Sequence, residues 1–184
     1  MRYRSVWLLA LLGVLVATSG EPELARELLE ESLTIREAAN EARGIGLSRL
    51  AIGAAAAGAG DGLRARGQVK LALELFERID DRPGRSSATM QLGYLAADAG
   101  RLLQARELQQ RALADWRRFA PSTLWCASAL MELARIDVAL GQPRRAEEQL
   151  EMACEVCLHN DDRPRLRRCR QAIDALGNSA LTPD

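Results

Sequence analysis

Four glycines recur along the chain at nearly equal intervals, and this periodicity restricts the possible fold more than any single motif does. They are Gly20, Gly60, Gly100 and Gly141, which are 40, 40 and 41 residues apart. An alanine follows each of them five residues later, at Ala25, Ala65, Ala105 and Ala146. Recurrence at a fixed interval of roughly 20 to 50 residues is typical of stacked structural repeats. We therefore expect one structural unit about every forty residues.

Two further columns of residues share this period. One pairs a bulky aliphatic residue with a small one, at Leu12-Gly13, Ile52-Gly53, Leu92-Gly93 and Leu133-Ala134. The other contains only small residues, namely Ser32, Ala72, Ala112 and Ala153. Small residues allow two helix backbones to approach closely, and a glycine can end a helix with a positive φ at no steric cost. Each unit is therefore predicted to be a helix pair with the glycine column in its turn.

The composition favours helices throughout. Apolar residues make up 48% of the chain but aromatic residues only 4%, so the interior must be built mainly from alanine and aliphatic side chains. Good helix formers dominate every segment, and the period-two alternation of strands is almost absent. A single helix pair cannot bury its apolar face, so neighbouring pairs must stack. We predict an all-α fold, a right-handed α-solenoid of stacked antiparallel helix pairs.

The 184 residues are predicted to form a single repeat domain, residues 1–184. Its repeat units are expected at about 5–40, 45–80, 85–120 and 122–158, with a capping helix at 164–176. Helix-breaking residues are expected to end the second helix of each pair. These breaks are predicted at 42–44, 81–84, 121–122 and 162–164.

The spacing of these columns resembles that of the tetratricopeptide repeat. Gly53 to Ala65, Gly93 to Ala105 and Ala134 to Ala146 are each twelve residues apart, as in that family. The period of forty is similar to the longer-helix version found in bacterial signalling regulators, including the helper regions of large LuxR-type transcription factors. The phrase ARELLEESL at 25–33, followed by RGI at 43–45, is typical of that version. The family's large aromatic residue is missing at Arg49, Thr89 and Leu130, so the repeats are degenerate.

The resemblance implies that a partner binds on the concave side, along the first helix of each pair. By the repeat phase, the groove is predicted to be lined by Leu50, Ala54, Met90, Gln91, Tyr94, Asp98, Met131, Glu132 and Arg135. This set lacks the dense lysine and asparagine pattern that would clamp a terminal carboxylate. We therefore expect the groove to bind a helix or an apolar peptide segment of a protein partner.

Residues 1–20 allow two interpretations. Arg2 and Arg4 precede an apolar run from Val6 to Ala17, which is the pattern of a secretory signal peptide and is too short for an ordinary membrane span. The same residues are also in phase with the later repeats, which favours a buried first helix. The first interpretation predicts an exported protein, and the second predicts a cytoplasmic one.

Four cysteines lie in the last third of the chain, at Cys126, Cys154, Cys157 and Cys169. If the helices fold back at Gly141 and near residue 163, the four thiols could converge. A Cys-x-x-Cys motif with two further thiols suits a tetrahedral zinc site, or disulfides if the chain is exported. Because buried cysteine also behaves as a small apolar residue, packing is the preferred interpretation and a metal site the weaker one.

Charge and motifs argue against several classes of function. The chain has 25 basic and 25 acidic residues, so no net field would hold it on a nucleic acid. The glycine-rich stretch at 52–62 lacks the lysine and hydroxyl residue of a phosphate-binding loop. No group of residues with catalytic spacing is present, and we expect no cofactor and no small-molecule substrate.

We therefore predict a non-enzymatic scaffold for protein interactions in bacterial signalling or regulation. Two alternatives stay open. One is an exported repeat protein that supports envelope assembly, and the other is a detached repeat region of a larger transcriptional regulator.

Overall fold

The computed structural model describes residues 8–9, 11–13, 15–16 and 21–180, without the side chains of Pro22, Ser179 and Ala180. Residues 8–9, 11–13 and 15–16 are helical. The helices that follow are α1 (Pro22–Ala38), α2 (Ala42–Gly58), α3 (Gly62–Arg78), α4 (Arg82–Asp98), α5 (Leu102–Phe119), α6 (Leu124–Ala139), α7 (Pro143–His159) and α8 (Arg163–Ala180). The predicted all-α fold of stacked antiparallel helix pairs is confirmed.

The chain forms two compact units, Met1–Leu95 and Ala96–Asp184. In the first unit, α2 packs against both α1 and α3. In the second unit, α6 packs against α5 and α7, and α7 also packs against α8. Within each unit, helices that are neighbours in sequence are thus neighbours in space, as expected for stacked helical hairpins.

The glycine column closes the turns that follow α2, α4 and α6. Gly60, Gly100 and Gly141 have φ angles of +82°, +72° and +71°, in the region that glycine adopts without strain. After α2, the amide of Gly60 donates to the carbonyl of Ala57, and the amide of Asp61 donates to that of Ala56. This pair of hydrogen bonds is the usual closure of a glycine-terminated helix. The prediction for these three positions is confirmed, while Gly20 lies outside the described residues.

The turns after α1, α3 and α7 use a different residue for the same backbone conformation. Asn40, Asp80 and Asp161 have φ angles of +51°, +51° and +50°. Asparagine and aspartate tolerate this region better than other side chains do. The predicted breaks at 42–44, 81–84 and 162–164 are therefore placed too late, because α2, α4 and α8 begin at Ala42, Arg82 and Arg163. The chain turns at Asn40, Asp80 and Asp161 instead.

One aromatic ring is central to the core of the first unit. Phe76 of α3 is completely buried, in a cluster that includes Leu50, Val69, Ala72 and Ala88. A Cβ atom at Gly46 of α2 would lie 2.6 Å from this ring, and one at Gly84 of α4 would also overlap it. The ring therefore fits only because Gly46 and Gly84 have no side chains where α2 and α4 contact it.

The small-residue column lets α2 and α3 approach closely. A Cβ atom at Gly53 would lie 2.7 Å from Cγ2 of Val69 and 3.2 Å from the carbonyl oxygen of Ala65. In the segment before α1, a Cβ atom at Gly13 would lie 2.7 Å from Cγ of Leu29. Backbone contact at these glycines is what the periodic small residues predicted.

The core of the second unit combines alanine packing with a buried carboxylate. Ala96, Ala97, Ala105 and Ile136 form its apolar cluster. Asp137 of α6 is 1% exposed and accepts hydrogen bonds from Arg106 of α5 at 3.3 Å and from Gln149 of α7 at 2.9 Å. Because a buried carboxylate is stable only when it is paired, this network fixes α6 between its two neighbours.

The two predictions for residues 1–20, a first helix or a cleaved leader, fall largely on residues outside those described. Within the described part of the chain, no helix is both long enough and apolar enough to cross a membrane.

Replacing Gly46 by alanine should destabilise the fold by about 1–3 kcal/mol, because the added methyl group would overlap the buried ring of Phe76. Gly67 of α3 is the matched control, since a Cβ atom there would meet nothing within 4 Å. Alanine at Gly67 should stabilise the protein by about 0.5–1 kcal/mol through helix propensity alone. Urea unfolding of both variants measures the difference, and equal effects would contradict the packing described for Phe76.

Candidate partner-binding surfaces

Helix α2 presents a row of solvent-accessible side chains in the first unit. Ala54 is exposed, and Leu47 and Ala51 are half-buried at intervals of three to four residues before it. This interval places the three side chains on one side of an α-helix. The α2 face, defined by Leu47, Ala51 and Ala54, is therefore small and mostly apolar.

Helix α4 repeats this pattern with more polar residues. Within the first unit, Ser87, Gln91 and Tyr94 are half-buried at the equivalent positions. These three residues are defined as the α4 face. A tyrosine at the surface offers apolar ring area together with a hydroxyl group, a combination that is common in protein interfaces.

The second unit presents a third surface, the α6 face, which consists of Ser128, Met131, Arg135 and Val138 together with Asp98 at the end of α4. The guanidinium of Arg135 holds the carboxylate of Glu132 with two hydrogen bonds, of 3.0 and 2.7 Å. It also lies 3.8 Å from the carboxylate of Asp98. The side chains of Arg135 and Asp98 are 54% and 69% exposed, so solvent reaches both charges.

The apolar part of the α6 face comes from two side chains. Met131 is half-buried and Val138 is exposed. They are seven residues apart, which places them on the same side of the helix two turns from each other. Ser128, which is half-buried, adds a small side chain one turn before Met131. The α6 face therefore combines apolar area, a small residue and two accessible charges.

Six of the nine predicted groove residues are solvent-accessible in the structure. Ala54, Asp98 and Arg135 are exposed, and Gln91, Tyr94 and Met131 are half-buried. The other three, Leu50, Met90 and Glu132, are only 6%, 4% and 8% exposed. Each of these three residues is adjacent in sequence to an accessible one. Because successive side chains point about 100° apart around a helix, a shift of one residue is enough to bury the side chain.

These three residues therefore pack inside their units instead of facing solvent. Leu50 belongs to the core cluster around Phe76. The accessible positions that the sequence interpretation missed are Leu47, Ala51, Ser87, Ser128 and Val138. Counting in steps of three or four residues from Ala54, Tyr94 and Arg135 would have identified them.

The first unit also contains a cavity of about 430 Å³ that was not predicted. Its floor is apolar, and its rim carries two arginines and two carboxylates. The lining residues are Glu23, Arg26, Leu29, Ile52, Ala55, Ala56, Ala59, Asp61 and Arg64. Arg26 is paired with Glu23, and Arg64 is paired with Glu30 of α1. The arginines of the rim therefore already have partners within the unit.

Three of the four thiols lie on α7 and α8, which pack against each other. Cys154 and Cys157 are on α7, and Cys169 is on α8. Burial raises the pKa of all three thiols, that of Cys169 to about 12. The thiol of Cys126 instead donates to the carbonyl of Ala120, with a sulfur–oxygen distance of 3.6 Å.

This arrangement differs from the tetrahedral site considered from the sequence. In the described part of the chain, no group of three or more histidine, cysteine, aspartate or glutamate side chains is placed to hold a metal ion. All four cysteines are in the free thiol form. The zinc interpretation thus has no geometric support at Cys126, Cys154, Cys157 and Cys169.

Comparison with known proteins finds a match to one repeat family over part of the chain. Residues 84–159 match the sequence profile of the tetratricopeptide repeat. This segment covers most of α4 and all of α5, α6 and α7, which is less than half of the chain. No curated protein sequence matches the chain significantly.

Solved structures share the fold at low sequence identity. BtubC (BKLC) from P. vanneervenii is 20% identical with a TM-score of 0.70, over 85% of this chain and 64% of that one. A putative kinesin light chain with nearly identical repeats, from Podosopora anserina, is 17% identical with a TM-score of 0.68, over 97% of each chain.

A third similar structure comes from a larger signalling protein. It is a Signal Transduction ATPase with Numerous Domains from Pyrococcus horikoshii, which has a tetratricopeptide repeat sensor. The identity is 18% and the TM-score is 0.71, over 95% of this chain but only 26% of that one. The chain thus spans less than two thirds of BtubC and about a quarter of the ATPase. At these identities the likeness establishes a shared helical-repeat fold.

Two substitutions one turn apart on α2 should differ in their effect on stability, because one is on the buried side of the helix and the other on the α2 face. Leu50→Ala should cost about 2–4 kcal/mol of unfolding free energy, because it leaves a cavity beside Phe76. Ala54→Gln should change stability by less than about 0.5 kcal/mol, because Ala54 is exposed. Chemical denaturation measures both values. A large loss for Ala54→Gln would mean that the α2 face is packed and not open.

Proposed function

We propose that this chain is a non-enzymatic scaffold that binds a peptide or helix of a partner protein on the accessible faces of its first helices. The observation that carries this proposal is the α6 face. Its two apolar side chains, Met131 and Val138, lie on the same side of an ordered helix as an exposed charge that is paired with a second one. Tetratricopeptide repeats at 84–159 support the same role, because such repeats typically act in protein interactions.

The chemistry of the α6 face favours an amphipathic segment. Ser128 is small and leaves room for a partner's backbone, and Met131 offers a flexible thioether that adapts to different apolar side chains. Arg135 and Asp98 form an exposed ion pair at 3.8 Å, which is worth little in free energy and can be exchanged for charges on a partner. A helix with an apolar stripe flanked by charged residues fits these requirements.

A rigid surface lowers the entropic cost of binding. The residues of the α6 face lie within continuous helices, so their backbone is ordered before a partner arrives. Only side chains lose freedom when the complex forms, which leaves more of the contact energy for affinity. The same reasoning applies separately to the α2 and α4 faces of the first unit.

We further infer a role in bacterial signalling or regulation, with the protein in the cytoplasm. The longer repeat period and the similarity to the repeat sensor of a signalling ATPase support this inference. Because the chain spans only 26% of that ATPase, a repeat region of a larger regulator is a second candidate. An exported protein is the third candidate, and it depends on residues 1–20.

Site-specific photo-crosslinking tests the proposed surface. A photoreactive phenylalanine analogue at Ser128 should crosslink a partner in cell extract. The same group at Ala114, an exposed alanine of α5, should not. Equal crosslinking from both sites would show that binding is not directed to the α6 face.

Once a partner is identified, Met131→Glu should weaken its binding by about tenfold or more, because the partner's apolar stripe would face a charge. Gln110→Glu on α5 adds the same charge at an exposed site and is the matched control. Isothermal titration calorimetry measures both affinities, and circular dichroism checks that the helices are intact. An unchanged affinity for Met131→Glu would contradict the assignment.

A further inference from the structure

Three aromatic side chains lie together at the turn between α5 and α6. Trp116 and Phe119 are in the last turn of α5, and Trp125 is in the first turn of α6. The ring of Phe119 is tilted by 55° against that of Trp116, with ring centroids 4.9 Å apart. The ring of Trp125 is stacked on that of Trp116, with an interplanar angle of 14° and centroids 5.7 Å apart. We define these three residues as the aromatic cluster.

Two rings of the aromatic cluster are open to solvent. Phe119 is 39% exposed and Trp125 is 49% exposed, while Trp116, which both of them contact, is only 5% exposed. In a chain with only 4% aromatic residues, two of the few large rings thus meet water. Adjacent apolar side chains at a surface mark interaction sites, and tryptophan is among the residues that contribute most to binding. The aromatic cluster is therefore a candidate binding surface.

The buried member of the aromatic cluster carries a polar group without a partner. Nε1 of Trp116 is shielded from water, and none of the described residues supplies it with a hydrogen-bond acceptor. Native proteins leave few buried donors in this state, because the hydrogen bond to water that is lost on burial is not replaced. A bound molecule that placed an acceptor beside the exposed ring of Trp125 would satisfy this donor.

Positive charge lies next to the aromatic cluster. Arg117 and Arg118 directly precede Phe119 on α5, and both are exposed. Arg117 contacts the sulfur of Met152 with a nitrogen–sulfur distance of 3.4 Å. Among the residues that the structure describes, neither guanidinium forms an ion pair with a carboxylate. Two uncompensated charges beside an apolar surface favour a partner that carries carboxylates.

We propose that the aromatic cluster binds an acidic, proline-rich segment of a partner protein. Such a segment adopts the polyproline II conformation, in which it docks against exposed aromatic side chains. Its carbonyl groups make no hydrogen bonds within the segment, so one of them is free to accept from Nε1 of Trp116. Acidic residues next to the prolines pair with Arg117 and Arg118.

This ligand differs from the one proposed for the α6 face. In a helix, most carbonyls are used by backbone hydrogen bonds, so a helical segment would leave Nε1 of Trp116 without an acceptor. Met131 lies six residues after Trp125, which is about 9 Å along the axis of α6. The two surfaces are thus separate, and either proposal can fail without the other.

Binding of synthetic peptides to the full chain tests the proposal. The probe is a peptide with a run of prolines flanked by aspartates, and isothermal titration calorimetry measures its affinity. Replacing the prolines by alanine, or the aspartates by lysine, should each weaken binding by about tenfold or more. In proton–nitrogen NMR spectra, saturation with the probe should move the indole N–H signal of Trp116 downfield, because this proton gains an acceptor.

Two variants locate the site. Trp125→Ala and Arg118→Glu should each weaken binding of the probe by about tenfold or more, since one removes a docking ring and the other reverses a charge. Arg118 is exposed, so its variant keeps the test valid if loss of the Trp125 ring unfolds the protein. Arg111→Glu is the matched control, because it makes the same charge change at an exposed site of α5 and should leave the affinity unchanged. Met131→Glu on the α6 face should leave it unchanged as well.

Absence of binding by the probe would overturn the proposal, and so would equal affinity of the alanine or lysine peptide. An indole signal of Trp116 that does not move, or equal effects of Arg118→Glu and Arg111→Glu, would also overturn it. Loss of binding with Met131→Glu would place the peptide on the α6 face instead.

Discussion

Close contact between helix backbones is the constraint on which the rest of this structure depends. With few aromatic residues available, the helices fill their interior by approaching until a glycine or alanine on one helix touches the main chain or side chain of the next. The alanine column is completely buried at Ala25, Ala65, Ala105 and Ala146. Any larger side chain at these positions would force two helices apart, and a shift in one hairpin would be passed on to its neighbour. The forty-residue period is therefore a packing requirement.

The same packing determines which side chains are available for binding. Helices α2 and α6 each pack on both neighbours in sequence, so only a narrow strip of each meets solvent. On α6 that strip carries Ser128, Met131, Arg135 and Val138, while Asp137 on another side of the helix is buried in hydrogen bonds to α5 and α7. Stability and recognition thus use different sides of one helix. A scaffold built in this way can exchange its recognition residues without disturbing its core.

Much of the fold could be predicted from the sequence, because the columns that define it are periodic. The glycines at 60, 100 and 141 mark turns that demand positive φ, and the small residue at Gly53 marks a close approach that depends only on size. The rotation of each helix was harder to predict, since Leu50 and Ala51 are adjacent in sequence but point about 100° apart. Leu50, Met90 and Glu132 were misplaced for this reason. The position of Cys126 depends on the irregular turn at 120–123, where no repeat column guides the prediction.

The two kinds of turn have a consequence for how such a chain can change in length. Among the turns with a positive φ, glycine closes one set and asparagine or aspartate the other. Both fix the backbone in nearly the same conformation, between helices of 16 to 18 residues. Deleting one residue inside a helix would turn everything beyond it by about 100° and expose the alanine column to water. Removing or duplicating a complete helix pair of about forty residues would keep the repeat columns in phase on both sides of the change. Insertions and deletions that keep the packing are therefore expected to comprise whole helix pairs, so the length of the chain can change in evolution only in steps of about forty residues.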